Sequence, residues 1–388
     1  MKKIIVKKKV IIGLSGGVDS SVSAFILKKR GYDVEGVFMR NWDSSLNYDF
    51  RGNPFIKQSI CPQIQDFKDA QKIAEQLKIN CHFVDFSQAY WDKVFSYVLK
   101  LFNQNLTPNP DVLCNNYIKF AIFSDYVNRK FKPDYIAMGH YARIQVINGD
   151  PILKKAEDQN KDQSYFLSQL QKKQLTKILF PIGDLTKIQV RKIAYQENLV
   201  TANKKDSTGI CFIGERRFAD FLQNYLPINK GLIKDTKGNI LPKKHLGVFY
   251  YTIGQRKGLN LGNLPCCNSS PWYVVGKDLA TNTLYVEQNS DSIYLYSDSA
   301  LITNVIWRDY KNFRYPNIMT LKSKFRYRQP EQEIKAYWID YRQLKIFFKE
   351  RIKAVVPGQI CAFYYEDFCL GAGMIQEVYY KNKKRKYV

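Results

Sequence analysis

None of the chain's eight cysteines stands in a CxxC pair, so the closely spaced thiols of a zinc knuckle are missing. Cys266 and Cys267 are adjacent, and Cys361 and Cys369 are too far apart to substitute. Eight cysteines in 388 residues are also too sparse for a disulfide scaffold, and they suit a reducing compartment in which thiols can cycle. No apolar run is long enough to span a bilayer. The Lys-rich start Met1-Lys2-Lys3-Ile4-Ile5-Val6-Lys7 lacks the apolar segment and cleavage site of a secretory signal, so a cytoplasmic protein with no membrane partner is expected. Internal repeats and low-complexity tracts are absent. The length exceeds one ordinary core, and a hydrophobic content of 45% is enough to fill two or three domains.

Acidic residues are scarce as well: 35 Asp and Glu against 60 Lys and Arg leave a net charge of +25, which points to a polyanionic partner. Lys, Asn, Ile and Tyr are frequent throughout, as AT-rich coding would make them, so the total charge does not separate the two explanations. Placement is more informative. Arg216-Arg217, Arg256-Lys257 and Arg326-Tyr327-Arg328 set cations beside aromatic neighbours, where phosphate contact and base stacking can be combined. The tail Lys381 to Lys386 reads as a solvated end.

What is present begins with Gly13-Leu14-Ser15-Gly16-Gly17-Val18-Asp19-Ser20, directly after the apolar run Val10-Ile11-Ile12 and before a helical stretch from Ser21 to Leu27. Glycines let the backbone approach an anion, and the N–H groups opening the helix then face it with the helix dipole behind them. No Lys-Ser/Thr pair closes the loop, unlike the GxxxxGK[ST] loop of kinases. Without a lysine reaching the outer phosphates, the loop reads as one that holds pyrophosphate as a leaving group while the α-phosphate is attacked. SGGxDS resembles the signature of the PP-loop ATP pyrophosphatases.

Two cysteines stand in informative surroundings. In Thr107-Pro108-Asn109-Pro110-Asp111-Val112-Leu113-Cys114-Asn115, Asn109 is placed to cap a helix whose first residue is Pro110. Asp111 and Cys114 then fall on neighbouring parts of one face. The helix start lowers a thiol's pKa and the carboxylate raises it, so Asp111 is better placed to orient or protonate a substrate than to make a thiolate. Cys211 sits in Asp206-Ser207-Thr208-Gly209-Ile210-Cys211-Phe212-Ile213-Gly214. Taken alone, either cysteine is more often a small buried hydrophobe.

Along the chain, Val34–Met39, Cys81–Phe86 and Tyr135–Gly139 read as strands and Asp66–Leu77 as a helix, giving an α/β parallel sheet with ligand at the strands' carboxyl ends. Asn47 to Ile60 reads as a loop insertion without an assigned role. From Asp206 short segments with Gly-rich turns, such as 231–240, predict a small central domain. Beyond Ser290, runs over 320–328, 344–348 and 359–365 predict a closed C-terminal β-barrel. The expected domains are 1–205, 206–288 and 289–388.

SGGVDSS, NPDVLCN, MGHYAR, KDQSYFL, DSTGICFIGER, YTIGQRKGL and RYRQ occur in this order, and on these motifs, spread over nearly the whole chain, it is identified as a member of the bacterial tRNA-specific 2-thiouridylases. The resemblance implies an N-terminal PP-loop domain, of the adenine nucleotide α-hydrolase-like kind, that adenylates the C2 oxygen of the wobble uridine of tRNA with ATP. Sulfur then comes from a cysteine persulfide charged by a donor protein. It implies that Gly13, Leu14, Ser15, Gly16, Gly17, Val18, Asp19, Ser20, Met39 and Gly139 bind ATP and that Asp19 helps hold Mg²⁺. It implies Cys211 as persulfide carrier, Cys114 as its catalytic partner and Asp111 as a third catalytic residue, with a Cys114–Cys211 disulfide closing the turnover. Asn109, Pro110 and Asp111 correspond to the target-base contact, and His140, Lys161, Asp162, Gln163, Arg326, Tyr327 and Gln359 to tRNA contacts. Some RNA-thiolating PP-loop enzymes carry an iron–sulfur cluster on CxxC cysteines; none is expected here. Another PP-loop adenylating synthetase would need neither cysteine motif, and a non-catalytic RNA-binding protein would have no use for SGGVDS.

Lysine and arginine contacts to phosphates release counterions. Affinity for tRNA is therefore expected to fall steeply with salt in filter-binding titrations, and deleting residues 381–386 should lower the slope modestly. A deletion that changed which tRNA is chosen would show that the tail reads sequence.

Overall fold

The computed structural model describes residues 7–51, 62–206, 218–262, 270–308 and 318–385. Its first strands are Lys9–Gly13 (β1), Asp33–Arg40 (β2), Cys81–Asp85 (β3) and Tyr135–Ala137 (β4). An antiparallel hairpin, Arg143–Ile147 (β5) and Asp150–Lys154 (β6), follows, and then the short Ile178–Leu179 (β7). Five of these form a parallel sheet in the order β3-β2-β1-β4-β7. Val10, Ile11 and Ile12 in the central strand are wholly buried, which is why that strand reads as a continuous apolar run rather than an alternating one. Helices at Val18–Lys29, Pro62–Gln76 and Lys187–Gln196 belong to the same layered unit. The reading along the chain had β1 to β4 but not β7, whose two residues carry no periodicity.

The central region contains Gly231–Asp235 (β8), Ile240–His245 (β9), Tyr273–Asp278 (β10) and Thr283–Glu287 (β11), ordered β10-β11-β8-β9. Its Gly-rich turn is real: Asp235 Oδ1 accepts from the N–H groups of Lys237 and Asn239 at 2.9 and 2.8 Å.

The last region runs Tyr296–Trp307 (β12), Ile318–Lys324 (β13), Gln332–Asp340 (β14), Gln343–Lys353 (β15), Ile360–Tyr365 (β16), Phe368–Tyr380 (β17) and Lys383–Lys384 (β18). The order β12-β15-β14-β13-β16-β17 closes on itself because β12 also pairs with β17, so the expected barrel is present. Three features differ from the sequence expectation. The tail, read as a solvated end, is docked on the barrel, with β18 paired to Tyr379 and Tyr380 and Arg385 Nε donating to Tyr296 O at 3.0 Å. The run expected through Arg328 leaves the sheet after Lys324, and Phe325 N–H donates instead to Gln329 Oε1 at 3.2 Å. Arg326 and Tyr327 therefore sit on a turn. The β5–β6 hairpin, although it precedes β7 in the chain, joins the barrel sheet through Lys154 opposite Phe368.

One apolar cluster runs from Ile11 and Val37 through Cys114 and Tyr165 to Ile360, Tyr364 and Cys369, so the parallel sheet and the barrel share a core. Buried Arg308 reinforces the seam, donating to the carbonyls of Ser168 (2.8 Å), Leu170 (2.7 Å) and Cys369 (2.6 Å). Of the insertion, residues 47–51 are described, and they dock on the chain after residue 217: Tyr225 Oη donates to Asn47 O at 2.7 Å and Arg51 N–H to Asn224 Oδ1 at 2.7 Å. Trp42, 1% exposed, packs edge-on to Phe221 and Phe95 beside them. Among the described residues no helix is long and apolar enough to cross a membrane.

Arg308→Met keeps the bulk but removes the guanidinium donor from three buried carbonyls, and each one left unsatisfied costs about 1–3 kcal/mol. A clearly lower urea midpoint is expected by tryptophan fluorescence; an unchanged midpoint would mean that the seam does not depend on the guanidinium.

Candidate active site

β1 lies between β2 and β4, where the order of strands in the chain reverses, the switch point at which an open α/β sheet forms its ligand crevice at the strands' carboxyl ends. The loop Gly13–Ser20 follows β1 at that end. Gly16 has φ +71°, and a Cβ there would lie 2.2 Å from the Asp66 carbonyl oxygen, so no other residue fits. Ser20 Oγ donates to Gly17 O at 3.0 Å and accepts from Ser15 N–H at 3.2 Å, with Ser15 Oγ 3.1 Å away. Leu14 N–H is held by Val37 O at 2.9 Å. Gly17 precedes the Val18–Lys29 helix with no side-chain cap, which leaves the N–H groups of Val18, Asp19 and Ser20 facing the crevice without intrahelical acceptors. Met39 and Met138 pack at Gly13, where a Cβ would stand 3.4 Å from Met39 Cε and 2.6 Å from Met138 Sδ. A Cβ on Gly139 would meet Ser20 N at 2.9 Å. All ten residues expected around ATP are thus brought together.

The thiol helix is built as its sequence implies. Asn109 Oδ1 accepts from Val112 N–H at 3.2 Å and Pro110 is the first helical residue. At Cys114 the helix widens into a π-helical stretch to Ile122, a local irregularity that recurs at functional sites. Cys114 is 3% exposed. Asn115 ties this helix to the crevice: its Nδ2 donates to Asp111 O at 3.0 Å, and its Oδ1 lies 3.1 Å from His140 Nε2. An amide oxygen only accepts, so Nε2 carries the proton and Nδ1 is bare; that Nδ1 has no hydrogen-bond partner among the described residues. Burial, followed by the charge of Lys119, holds the His140 pKa well below 6.5. Burial pushes the Asp111 carboxyl up, with Lys119 opposing.

The residues expected at RNA separate into two groups. Gln359 Nε2 donates to Thr107 O at 3.0 Å, and Tyr165 Oη to Ile360 O at 2.9 Å, so the barrel buttresses the segment ahead of Asn109. Tyr327 lies 4.3 Å from Phe166 between ring centroids, while Arg326 reaches toward the central region, donating to Ile253 O at 3.1 Å. Gln163 braces Tyr141 from both directions, N–H to Tyr141 O at 2.8 Å and Oε1 from Tyr141 N–H at 2.9 Å. Asp162 is different: 2% exposed, it accepts from Ala156 N–H, Ser164 N–H and Ser164 Oγ, which makes it the organiser of its own turn. Lys161 is paired with Asp206 at 3.0 Å.

Sequence reasoning missed Tyr141, whose Oη donates to Asp19 Oδ1 at 2.8 Å, and Lys187, whose Nζ lies 2.7 Å from the same oxygen. Tyr141 stood inside MGHYAR and could have been singled out. Nothing in the sequence around Lys187 points to the loop. Cys211 lies outside the described residues, as do Arg216 and Arg217. The described chain reaches Asp206, whose carboxylate is bound by Lys161, Lys187 and Arg191 and is thereby held well below the usual carboxylate range even against its own burial.

A family model described as the HUP domain of a tRNA methyl transferase matches residues 8–215, a PRC-barrel domain model of the same series matches 219–288, and an aminomethyltransferase β-barrel domain model matches 297–375. The chain is 58% identical over 384 residues to the tRNA-specific 2-thiouridylase MnmA of Aster yellows witches'-broom phytoplasma, covering 98% of this chain and 99% of that protein. It is 57% identical over 384 residues to its counterpart in Onion yellows phytoplasma, with the same coverage. To that of Acholeplasma laidlawii it is 55% identical over 381 residues, covering 98% of this chain and all of that protein.

His140 stays neutral in the folded protein at pH values where an unfolded chain's imidazole, at 6.5, takes up a proton. The unfolded state then binds more protons below that value, and stability falls as pH falls through it. His140→Gln should flatten the loss of denaturant midpoint between about pH 7.5 and about pH 5.5. Parallel profiles for the two proteins would mean that the buried ring titrates normally.

Proposed function

Because the chain belongs to the tRNA-specific 2-thiouridylase (MnmA) family, we propose that its nucleotide loop, the Asn109–Cys114 helix start and Cys211 divide among them the exchange of oxygen for sulfur at C2 of a tRNA uridine. The enzyme is a tRNA-uridine 2-sulfurtransferase; it uses ATP and its macromolecular partner is tRNA. The finer assignment rests on one observation: an unbroken chain of contacts from Ser20 through Gly139 and His140 to Asn115 fixes the loop relative to the thiol helix. Methyl transfer would need neither a pyrophosphate-holding loop nor a pair of thiols.

In this reading the wobble uridine leaves its stack, at a cost of a few kcal/mol at most in a loop, and enters between Asn109-Pro110-Asp111 and His140. Met39 and Gly139 line the adenine and ribose. The N–H groups opening the Val18–Lys29 helix stabilise the charge that develops on departing pyrophosphate. The Asp19 carboxylate is a hard oxygen donor suited to Mg²⁺, which would supply further neutralisation of the phosphates. As O2 attacks the α-phosphate, the N3 proton passes to Asp111, whose burial makes it more basic than an ordinary carboxylate. The bare Nδ1 of His140 offers an acceptor to the RNA. Lys161, Gln163, Arg326, Tyr327 and Gln359 hold the surrounding nucleotides, and Asp162 shapes the turn that presents Lys161 and Gln163.

Sulfur arrives from a persulfide-donor protein as a persulfide on Cys211. The Cys114 thiolate attacks the Cys211 sulfur, and hydrosulfide leaves. It adds to C2, its proton ends on N3, and AMP departs with the original oxygen. A Cys114–Cys211 disulfide remains and takes up two electrons from an external thiol before the next round. Such cycling belongs in the reducing cytoplasm.

The two cysteines should therefore fail differently. Cys211→Ala is expected to retain no sulfane sulfur from a labelled donor, whereas Cys114→Ala loads Cys211 and stalls before 2-thiouridine forms. Peptide mass mapping reads the first outcome and nucleoside mass spectrometry of the tRNA the second. Sulfur on Cys114 in the Cys211→Ala protein, with thiolated tRNA still made, would reverse the roles.

A further inference from the structure

A buried lysine of the central region reaches the segment that leads into the thiol helix. Lys277 belongs to β10, opposite Leu284 of β11, and is 2% exposed. Its Nζ leaves the central sheet and donates to the main-chain carbonyl of Asn105 at 3.3 Å. That is its one hydrogen bond among the described residues, no carboxylate among them pairs with it, and burial alone pushes its pKa down to about 8. An ammonium has three donors, and one kept from water without an anion costs stability. A lysine needed there only for packing would be better replaced by an apolar side chain of its size.

The Ser96–Asn103 helix ends at this contact. Asn105 takes φ +64°, its N–H donating to Phe102 O at 2.9 Å and that of Leu106 to Leu101 O at 3.0 Å, the left-handed close in which asparagine is at home. Four residues on, Asn109 caps the thiol helix. In between, the barrel takes hold: Thr107 N–H donates to Pro357 O at 2.9 Å and Gln359 Nε2 to Thr107 O at 3.0 Å. Gly358 comes so near that a Cβ would lie 2.6 Å from Thr107 N. Side chains of the segment add no such hold, since Asn105 Oδ1 and Thr107 Oγ1 are buried with no hydrogen-bond partner among the described residues. The main chain is thus fixed from two sides, by the barrel and by one ammonium of the central sheet. We propose that Lys277 is a positioning residue for the target base, its ammonium fixing the approach to Asn109-Pro110-Asp111 so that the central region sets how a uridine meets the thiol helix. The proposal rests on the reading of Asn109-Pro110-Asp111 as the target-base contact and adds a residue that acts through the main chain ahead of it.

The test compares the full chain with its Lys277→Met variant in four measurements: single-turnover formation of 2-thiouridine by persulfide-loaded enzyme with ATP, tRNA affinity by filter binding, the urea midpoint, and hydrogen exchange over residues 104–113. Methionine fills the volume of the stem without the buried charge, so the midpoint is expected to hold or rise. The rate should fall by about 10- to 100-fold, the scale on which a displacement of about 1 Å slows a reaction. Affinity for tRNA, carried by phosphate contacts elsewhere, should stay within about threefold. Exchange should quicken over 104–113 and not in β10 or β11. An unchanged rate, unchanged exchange over 104–113, or tRNA affinity falling as far as the rate would overturn the proposal, and so would a lowered midpoint, which would make Lys277 an ordinary core residue. Wild-type rates in both Asn109→Ala and Asp111→Asn would instead fail the target-base reading, whatever Lys277→Met does.

Discussion

The contact between Gly139 and Ser20 sets the scale of the whole site. With a Cβ there 2.9 Å from a backbone nitrogen, strand β4 can bring its continuation against the phosphate loop only because that residue has no side chain. The next two residues exploit the approach. His140 reaches Asn115 on the thiol helix and Tyr141 reaches Asp19 on the loop, while Gln163 clamps Tyr141 from behind. Three consecutive residues thus join the Gly13–Ser20 loop, the helix of Cys114 and the turn of Gln163. A displacement of any one would be felt by the other two, because packed interiors transmit strain rather than absorb it.

Charge is distributed along this face by environment rather than by residue type. At the thiol helix, burial dominates: His140 is neutral and Asp111 is made more basic, which is what the proposed proton transfer from uridine would need. At the loop, cations dominate, and Asp206 is fixed as an anion by three of them. In the proposed reaction a base that deprotonates and a phosphate that departs make opposite demands. The two ends of the crevice meet them separately, without either group's field cancelling the other's.

Much of this was legible along the chain. β1 to β4, the loop and the Asn109 cap each have a local cause: a buried apolar run, glycines at a close approach, an amide followed by proline. What escaped notice depends on contacts distant in sequence. β7 is two residues recruited by β4, and the β5–β6 hairpin alternates like any other strand pair, so nothing in it announces a partner beyond residue 360. Lys187 looks like an exposed lysine on an amphipathic helix until Asp19 is placed against it. Asp162, read as an RNA contact by its motif, is consumed by its own turn. Arg326 and Tyr327 fall on a turn because Gln329 takes the Phe325 N–H that the sheet would have used. Local chemistry writes elements and caps into a sequence; the choice among equivalent polar residues is made only when the fold closes.

Asp206 on one side and the Phe218–Leu222 helix on the other are both fixed, the first by three cations and the second by the aromatic packing of Phe221 on Trp42. In the sequence Cys211 stands five residues after the first anchor and seven before the second. Loop-closure entropy grows slowly with length, each doubling costing only about 0.6 kcal/mol. A substitution that frees either anchor would therefore weigh more on that stretch of chain than an insertion within it.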